Sequence, residues 1–207
     1  MITIPNALPG SSFDEELARS ELYGLLALLY YAPPSAELLE QLRAAVTEAP
    51  SAGALLEESW RSLVGLAREL SLADLEAEYN LLFGGIGKPE VYLYGSHYLS
   101  GFLNEKPLAR LRTDLARLGL AREDSMSETE DHLAYLCEVM RYLIAGEGAE
   151  ADRLAQQREF FATHAQPWVG QLCDAIQAHP RARFYAALAV LTRSFAEVEA
   201  VGFEMLS

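Results

Sequence analysis

An all-α fold, a single compact domain of about eight to nine helices, is what this 207-residue chain predicts, on three observations. Apolar residues recur at i, i+3 and i+4 spacing rather than in alternation, so strand signals are nearly absent. Helix-start and helix-stop residues punctuate the chain throughout. No repeat of fixed period and no low-complexity linker divides it, so residues 1–207 read as one domain, with 1–11 as a flexible N-terminal tail.

The elements follow in order. Ser12-Phe13-Asp14-Glu15 is a capping box opening a first helix to about Tyr31, stopped by Pro33-Pro34. Ser35 caps a second helix to about Ala49, before Pro50, and a third covers 54–70. Ser71 caps a fourth that ends at Phe83, with Leu72, Leu75, Tyr79 and Leu82 along one stripe. Gly84 to Gly95 reads as an irregular connection. A helix over 107–118 ends at Gly119, and Ser127-Glu128-Thr129-Glu130 is a second capping box opening a helix to about Ala145. Residues 150–165 form the next, Pro167 sits in the first turn of a helix to His179, and the last runs over about 181–201.

Composition narrows the function. With 16 basic and 30 acidic side chains the formal charge is −14, which argues against nucleic acid as the main partner, because phosphate binding needs a dense basic surface. Hydrophobic residues at 51% exclude a wholly disordered chain. Two cysteines, Cys137 and Cys173, make neither a disulfide framework nor a four-thiolate zinc site; their apolar neighbours mark them as buried. The start has neither a basic n-region nor an apolar h-region, and the longest apolar stretch, Leu22–Ala32, is too short to span a bilayer. The expected location is cytoplasmic.

Catalytic motifs do not emerge. Gly84-Gly85-Ile86-Gly87-Lys88 lacks the first glycine and the Ser/Thr of a phosphate loop, since Leu82 and Pro89 stand there. His97, His132, His164 and His179 are scattered, and none has glutamate three positions earlier as a helical di-metal site requires. The informative segment is Ala121–Glu138. Glu123, Asp124, Glu128, Glu130 and Asp131 stand there against the single base Arg122 before Tyr135 and Glu138. Acids at a helix start also complement the macrodipole. On a helical projection Leu133, Leu136, Cys137, Met140 and Ile144 form the core stripe, while Asp131, Tyr135, Glu138 and Tyr142 share the opposite face, with His132 at the boundary. Two carboxylates and two tyrosines on one face suit a guanidinium. The aromatic-rich connection before it, with Tyr92 and Tyr94 beside glycine, is a candidate binding surface.

Several segments together resemble the TorD/DmsD family of chaperones that mature molybdenum-cofactor oxidoreductases. They are Glu78-Tyr79-Asn80-Leu81-Leu82-Phe83-Gly84-Gly85, Tyr94-Gly95-Ser96-His97-Tyr98-Leu99, Glu128-Thr129-Glu130-Asp131-His132-Leu133-Ala134, Gln157-Arg158-Glu159-Phe160-Phe161 with His164 and Trp168, and Phe184-Tyr185-Ala186-Ala187-Leu188-Ala189. The resemblance implies a helical chaperone that binds the twin-arginine signal peptide of an apo-enzyme and delays export until the cofactor is inserted. It carries binding residues over to Asp131, His132, Glu130, Tyr94, Ser96 and Tyr98, and Tyr135 joins them from the helical projection. Thr129 stands where the family usually has proline, and Leu93 where it often has. No catalytic residue, metal or resident cofactor is expected; molybdopterin or guanine-nucleotide binding would follow by family analogy alone. The expected partner is an apo-molybdoenzyme subunit with its leader, the expected state a monomer, with a domain-swapped dimer as the variant. Two other readings are an assembly chaperone for a leaderless nitrate-reductase-like or formate-dehydrogenase-like subunit, and an acid–base or metal-dependent hydrolase built on Asp131-His132.

Overall fold

A computed structural model describes residues 12–47, 56–84, 88–123 and 126–205. The tail 1–11, the side chains of the first capping box from Ser12 to Asp14, the end of the second predicted helix at 48–50 and the start of the third at 54–55 lie outside the described residues, as do 85–87 of the glycine-rich connection.

Ten helices and no strand occur among the described residues: α1 (Ser12–Tyr31), α2 (Ala36–Ala44), α3 (Glu57–Glu69), α4 (Leu72–Leu82), α5 (Gly95–Ser100), α6 (Lys106–Arg117), α7 (Leu133–Ile144), α8 (Glu150–His164), α9 (Gln166–Gln177) and α10 (Phe184–Met205). The all-α expectation holds. Ser35 caps α2 by accepting the Leu38 N–H, and Ser71 with Asp74 forms a reciprocal capping box on α4. Two expectations need correction. α2 stops at Ala44, several residues early, because Arg68 of α3 takes the carbonyls of Arg43 and Ala45, while Arg43 takes those of Ala67 and Leu70. Each arginine thereby closes the other helix's carboxyl end. α5 stands between the irregular connection and the helix over 107–118, where the sequence predicts none. It is a six-residue helix ended by Gly101 at φ +79, a left-handed conformation that favours glycine.

Buried apolar side chains from α1 to α4 and α6 to α10 form one continuous core, with Val91 and Leu93 of the connection and the partly buried Tyr98 of α5 joining it. Cys137 and Cys173 are buried within it as free thiols, which burial pushes far towards the neutral form. α1 packs along α7, and α10 packs on α9 and α3 with further contacts to α4 and α8. Glu199, buried in α10, accepts a bidentate pair from Arg19 at 2.6 and 2.8 Å and the Tyr23 hydroxyl at 2.8 Å, which sets the register of α1 on α10.

α10 begins without a Ser, Thr, Asp or Asn at its entry, where Arg183 stands. Its free donors are met from another helix. Glu78 of α4, 8% exposed, accepts the N–H groups of Arg183 (2.8 Å), Phe184 (3.1 Å) and Tyr185 (2.8 Å). Glu78→Ala would strand the Phe184 and Tyr185 donors in the interior. A loss of about 3 kcal/mol is expected, since a buried unsatisfied donor costs on the order of 1–3 kcal/mol and several share this acceptor. Urea unfolding should show it as a lower midpoint at unchanged slope, with Glu76→Ala as the exposed control on the same helix.

Candidate functional site

The two motif segments that sequence alone singled out meet in space. After α4 the chain returns with the Val91 N–H on the Leu82 carbonyl and then runs antiparallel to residues 131–133. The Leu93 carbonyl accepts the Leu133 N–H at 2.9 Å, the Asp131 carbonyl accepts that of Gly95 at 2.9 Å, and Tyr94 and His132 form an isolated β-bridge. Asp131 clamps the junction. Its Oδ2 accepts the Ser96 N–H at 2.9 Å and its Oδ1 accepts the Thr129 hydroxyl at 2.6 Å. Gly95 is needed here because a Cβ would come within 2.9 Å of Trp168 Nε1.

This clamp corrects the expected helix start. α7 begins at Leu133, not at Ser127, and its cap is His132, whose Nδ1 accepts the Ala134 N–H at 3.2 Å. Residues 128–131 stay irregular because their acids hold distant partners: Glu128 takes the Tyr94 hydroxyl, Glu130 takes Arg112, and Asp131 takes Ser96. The helical projection therefore does not extend back to Asp131, which is 4% exposed and faces inward. Tyr135, Glu138 and Tyr142 do share an open face, and the predicted core stripe from Leu133 to Ile144 is buried.

His132 is as buried as Asp131, and the two are not hydrogen-bonded to each other, so they form no acid–base dyad. Burial lowers the imidazole to about 4, although Glu128 and Asp131 pull it upward. With Nδ1 accepting, the neutral ring carries its proton on Nε2. Tyr94, Tyr135 and Tyr31 surround it at ring-centre distances of 5.1, 5.8 and 6.4 Å. Burial also raises the Tyr94 phenol, reinforced by its bond to Glu128, and pushes Tyr135 up to about 12. Tyr98 stacks on Trp168 and donates to the Tyr92 carbonyl at 2.9 Å. Tyr92 in turn stacks on His97, so the tyrosines of the connection are half-buried structural groups as well as surface.

Two cavities flank the clamp, and the predicted residues divide between them. A groove of about 490 Å³ lies between α1, the α6–α7 connection and α7. Its walls are Ala27, Leu28, Leu115, Leu120, Ala134 and Val139 with Tyr31, Tyr135 and Tyr142, and Glu130, Glu138 and Arg122 stand among them. A smaller cavity of about 350 Å³ is lined by Ser96 and Asp131 with Lys106, Arg110 and His164. Of the predicted residues, Glu130 and Tyr135 line the groove, Ser96 and Asp131 the smaller cavity, and Tyr94, His132 and Tyr98 neither. The α1 wall, Leu28 and Tyr31, carries no sequence signal, since both lie within the apolar run Leu22–Ala32; only the structure leaves them 43% and 47% exposed.

The groove carboxylates are already paired. Arg112 grips Glu130 through two bonds of 3.0 and 2.9 Å, and Arg141 takes both oxygens of Glu138 at 2.9 Å. Burial works to raise the Glu130 carboxyl, but the bonds and charge of Arg112 hold it below the usual range. Among the described residues no group of three or more His, Cys, Asp or Glu is placed to hold a metal ion, and no helix is long and apolar enough to cross a membrane.

A family model described as nitrate reductase delta subunit matches residues 35–174. Curated relatives include a chaperone protein TorD of Colwellia psychrerythraea, 24% identical with 90% of this chain and 92% of the relative covered. Another, of Shewanella loihica, is 27% identical over 88% and 91%. The chaperone protein YcdY of Escherichia coli is 26% identical over 84% and 89%.

Two outcomes follow from the clamp. His132 is held near 4 in the folded chain against 6.5 free, so the unfolded chain binds the extra proton between those values. Its contribution is whole above about pH 6.5 and is lost as pH falls towards 4, by up to about 3 kcal/mol. His164, lowered by burial despite Asp114, adds in the same direction. Urea midpoints measured from pH 7 to 4 should fall, and His132→Gln should flatten part of that slope. Separately, the Ser96 hydroxyl is fully buried without a partner, so Ser96→Ala should be neutral or stabilising by up to about 1 kcal/mol, whereas Asp131→Ala should strip hydrogen-exchange protection from the Ser96 amide.

Proposed function

The chain belongs to the nitrate reductase delta subunit family, and from that premise we propose that it is a maturation chaperone for a molybdenum-cofactor oxidoreductase. It binds the apo-subunit through a twin-arginine leader and withholds it from export until the cofactor is in place. The observation that carries this reading is the groove: an open apolar trough floored by alanine and leucine, bordered by three tyrosines and interrupted by two carboxylates. An apolar leader run buries its side chains along Leu28, Leu115 and Val139, and its arginines lie over the tyrosines towards Glu130 and Glu138. The chaperone names of the relatives agree with it.

The predicted residues then take two roles. Glu130 and Tyr135 contact the leader. Asp131 and Ser96 form the clamp behind Glu130, Tyr94 and His132 pack on it, and Tyr98 anchors the connection, so these five act by positioning rather than by contact with the leader. No catalytic step and no resident cofactor belong to this reading; the molybdenum cofactor is cargo of the client. The description of the matching family favours a second reading, an assembly chaperone for a nitrate-reductase-like subunit that has no leader. Co-expression with such subunits, with and without their leader sequence, separates the two: capture that survives removal of the leader favours the second.

Leu28 tests the groove directly, because its side chain is 43% exposed and a change there spares the core. Leu28→Glu should weaken leader binding tenfold or more, as loss of a buried leucine contact is worth about 1.5–3 kcal/mol. Calorimetric titration should show no change for Val190→Glu, an exposed apolar control on α10 away from the groove lining. Equal affinity for wild type and folded Leu28→Glu would remove the groove from the function.

A further inference from the structure

Glu130, in the irregular segment before α7, is the groove carboxylate whose partner comes from a distant helix. Arg112 of α6 reaches across with Nε and Nη2, one on each oxygen, in the fork geometry that any guanidinium uses on a carboxylate. The two side chains differ sharply in exposure, 13% for Glu130 and 52% for Arg112. The acceptor is thus fixed in the groove wall, and the donor sits on the solvent side on a long stem. Glu138 differs, since its partner Arg141 is three residues along the same helix and both are open to water. Arg122, which also lines the groove, is bonded to the carbonyls of Met126 and Glu128 and does not fill the Glu130 fork.

We propose that Arg112 is a built-in competitor for the client's arginine: it occupies the Glu130 subsite in the free protein and is displaced by an incoming guanidinium. The inference rests on the leader-binding reading above. Exchange of one bidentate pair for another leaves the carboxylate satisfied throughout, so Glu130 is never left bare while the groove is empty. The Glu130 fork is itself selective. A client arginine replaces both bonds that Arg112 gives up, whereas a lysine ammonium is a point charge that cannot match the fork. Arg112 therefore lowers affinity only for a leader that engages Glu130, and by the larger factor for the arginine that engages it more strongly.

The experiment is calorimetric titration of two synthetic leaders, one with the arginine pair and one with both arginines replaced by lysine. They are titrated against wild type, Arg112→Gln, Glu130→Gln and the double variant, with thermal unfolding of each in parallel. Arg112→Gln should bind the arginine leader about two- to fivefold more tightly, the scale of an exposed ion pair, and should gain less for the lysine leader, which uses the subsite less. Glu130→Gln should weaken both, and the double variant should match Glu130→Gln, since a competitor without its subsite has nothing to compete for. If wild type binds and folded Arg112→Gln binds no more tightly, the competitor role is overturned and the leader reading stands. If neither binds, both fall; binding by Arg112→Gln alone supports the competitor in its extreme form. Should Arg112→Gln unfold, Arg112→Lys keeps stem and charge but lacks the fork, and it should still tighten the arginine leader; failure to do so overturns the proposal.

Discussion

Three N–H groups at the amino end of α10 converge on the carboxylate of Glu78, and the geometry of the site descends from that contact. α10 is the longest described helix and packs on α3, α4, α8 and α9, so Phe184 and Tyr185 of its first turn are buried away from water acceptors. A negative charge is also favoured at a helix amino end. Because the acceptor belongs to α4, the cap locks α4 onto α10. The next turns then bring Tyr79 and Phe83 edge-on to Tyr185 at ring-centre distances of 5.7 and 5.1 Å. Leu82, at the end of that turn, offers its carbonyl to Val91 and so fixes where the returning connection starts.

A second buried carboxylate repeats the device one step further along the chain. Asp131 caps the short α5 across 35 residues of sequence, through the Ser96 N–H, and the antiparallel pairing of residues 93–95 with 131–133 follows the same line. Thr129 completes Asp131 with its hydroxyl, a donor that the proline usual in the TorD/DmsD pattern cannot supply. The clamp separates the groove of α1 and α7 from the smaller cavity of α5 and α6, and so determines which side chains of one motif act together.

Charge in this protein is abundant and, at the groove, committed. The chain carries an excess of fourteen acids, yet both carboxylates among the groove walls hold arginines of the chain itself. Attraction for a basic partner is consequently an exchange reaction, and its specificity depends on how well the partner reproduces the geometry it replaces. Apolar surface is the less encumbered resource: Leu28, Tyr31 and Tyr142 remain exposed along the trough with no chain segment described over them.

The sequence by itself determined the helical class, most helix positions, the stripe of α7 that faces the core and the family. Those signals are local: apolar spacing, caps such as Ser35 and Ser71, and motifs read in order along the chain. It also marked Glu128, Glu130, Asp131 and His132 as unusual. Only the tertiary structure decided what the three carboxylates do, because each holds a partner 18 to 35 residues away, on Tyr94, Arg112 or Ser96. A capping box and an acid clamped by distant donors have the same letters. Local hydrogen bonding would start α7 at Ser127, but the distant donors claim the acids first and move the start to Leu133. The same cause turned Asp131 inward and left Glu130 on the groove, since a helical projection holds only where the backbone is helical.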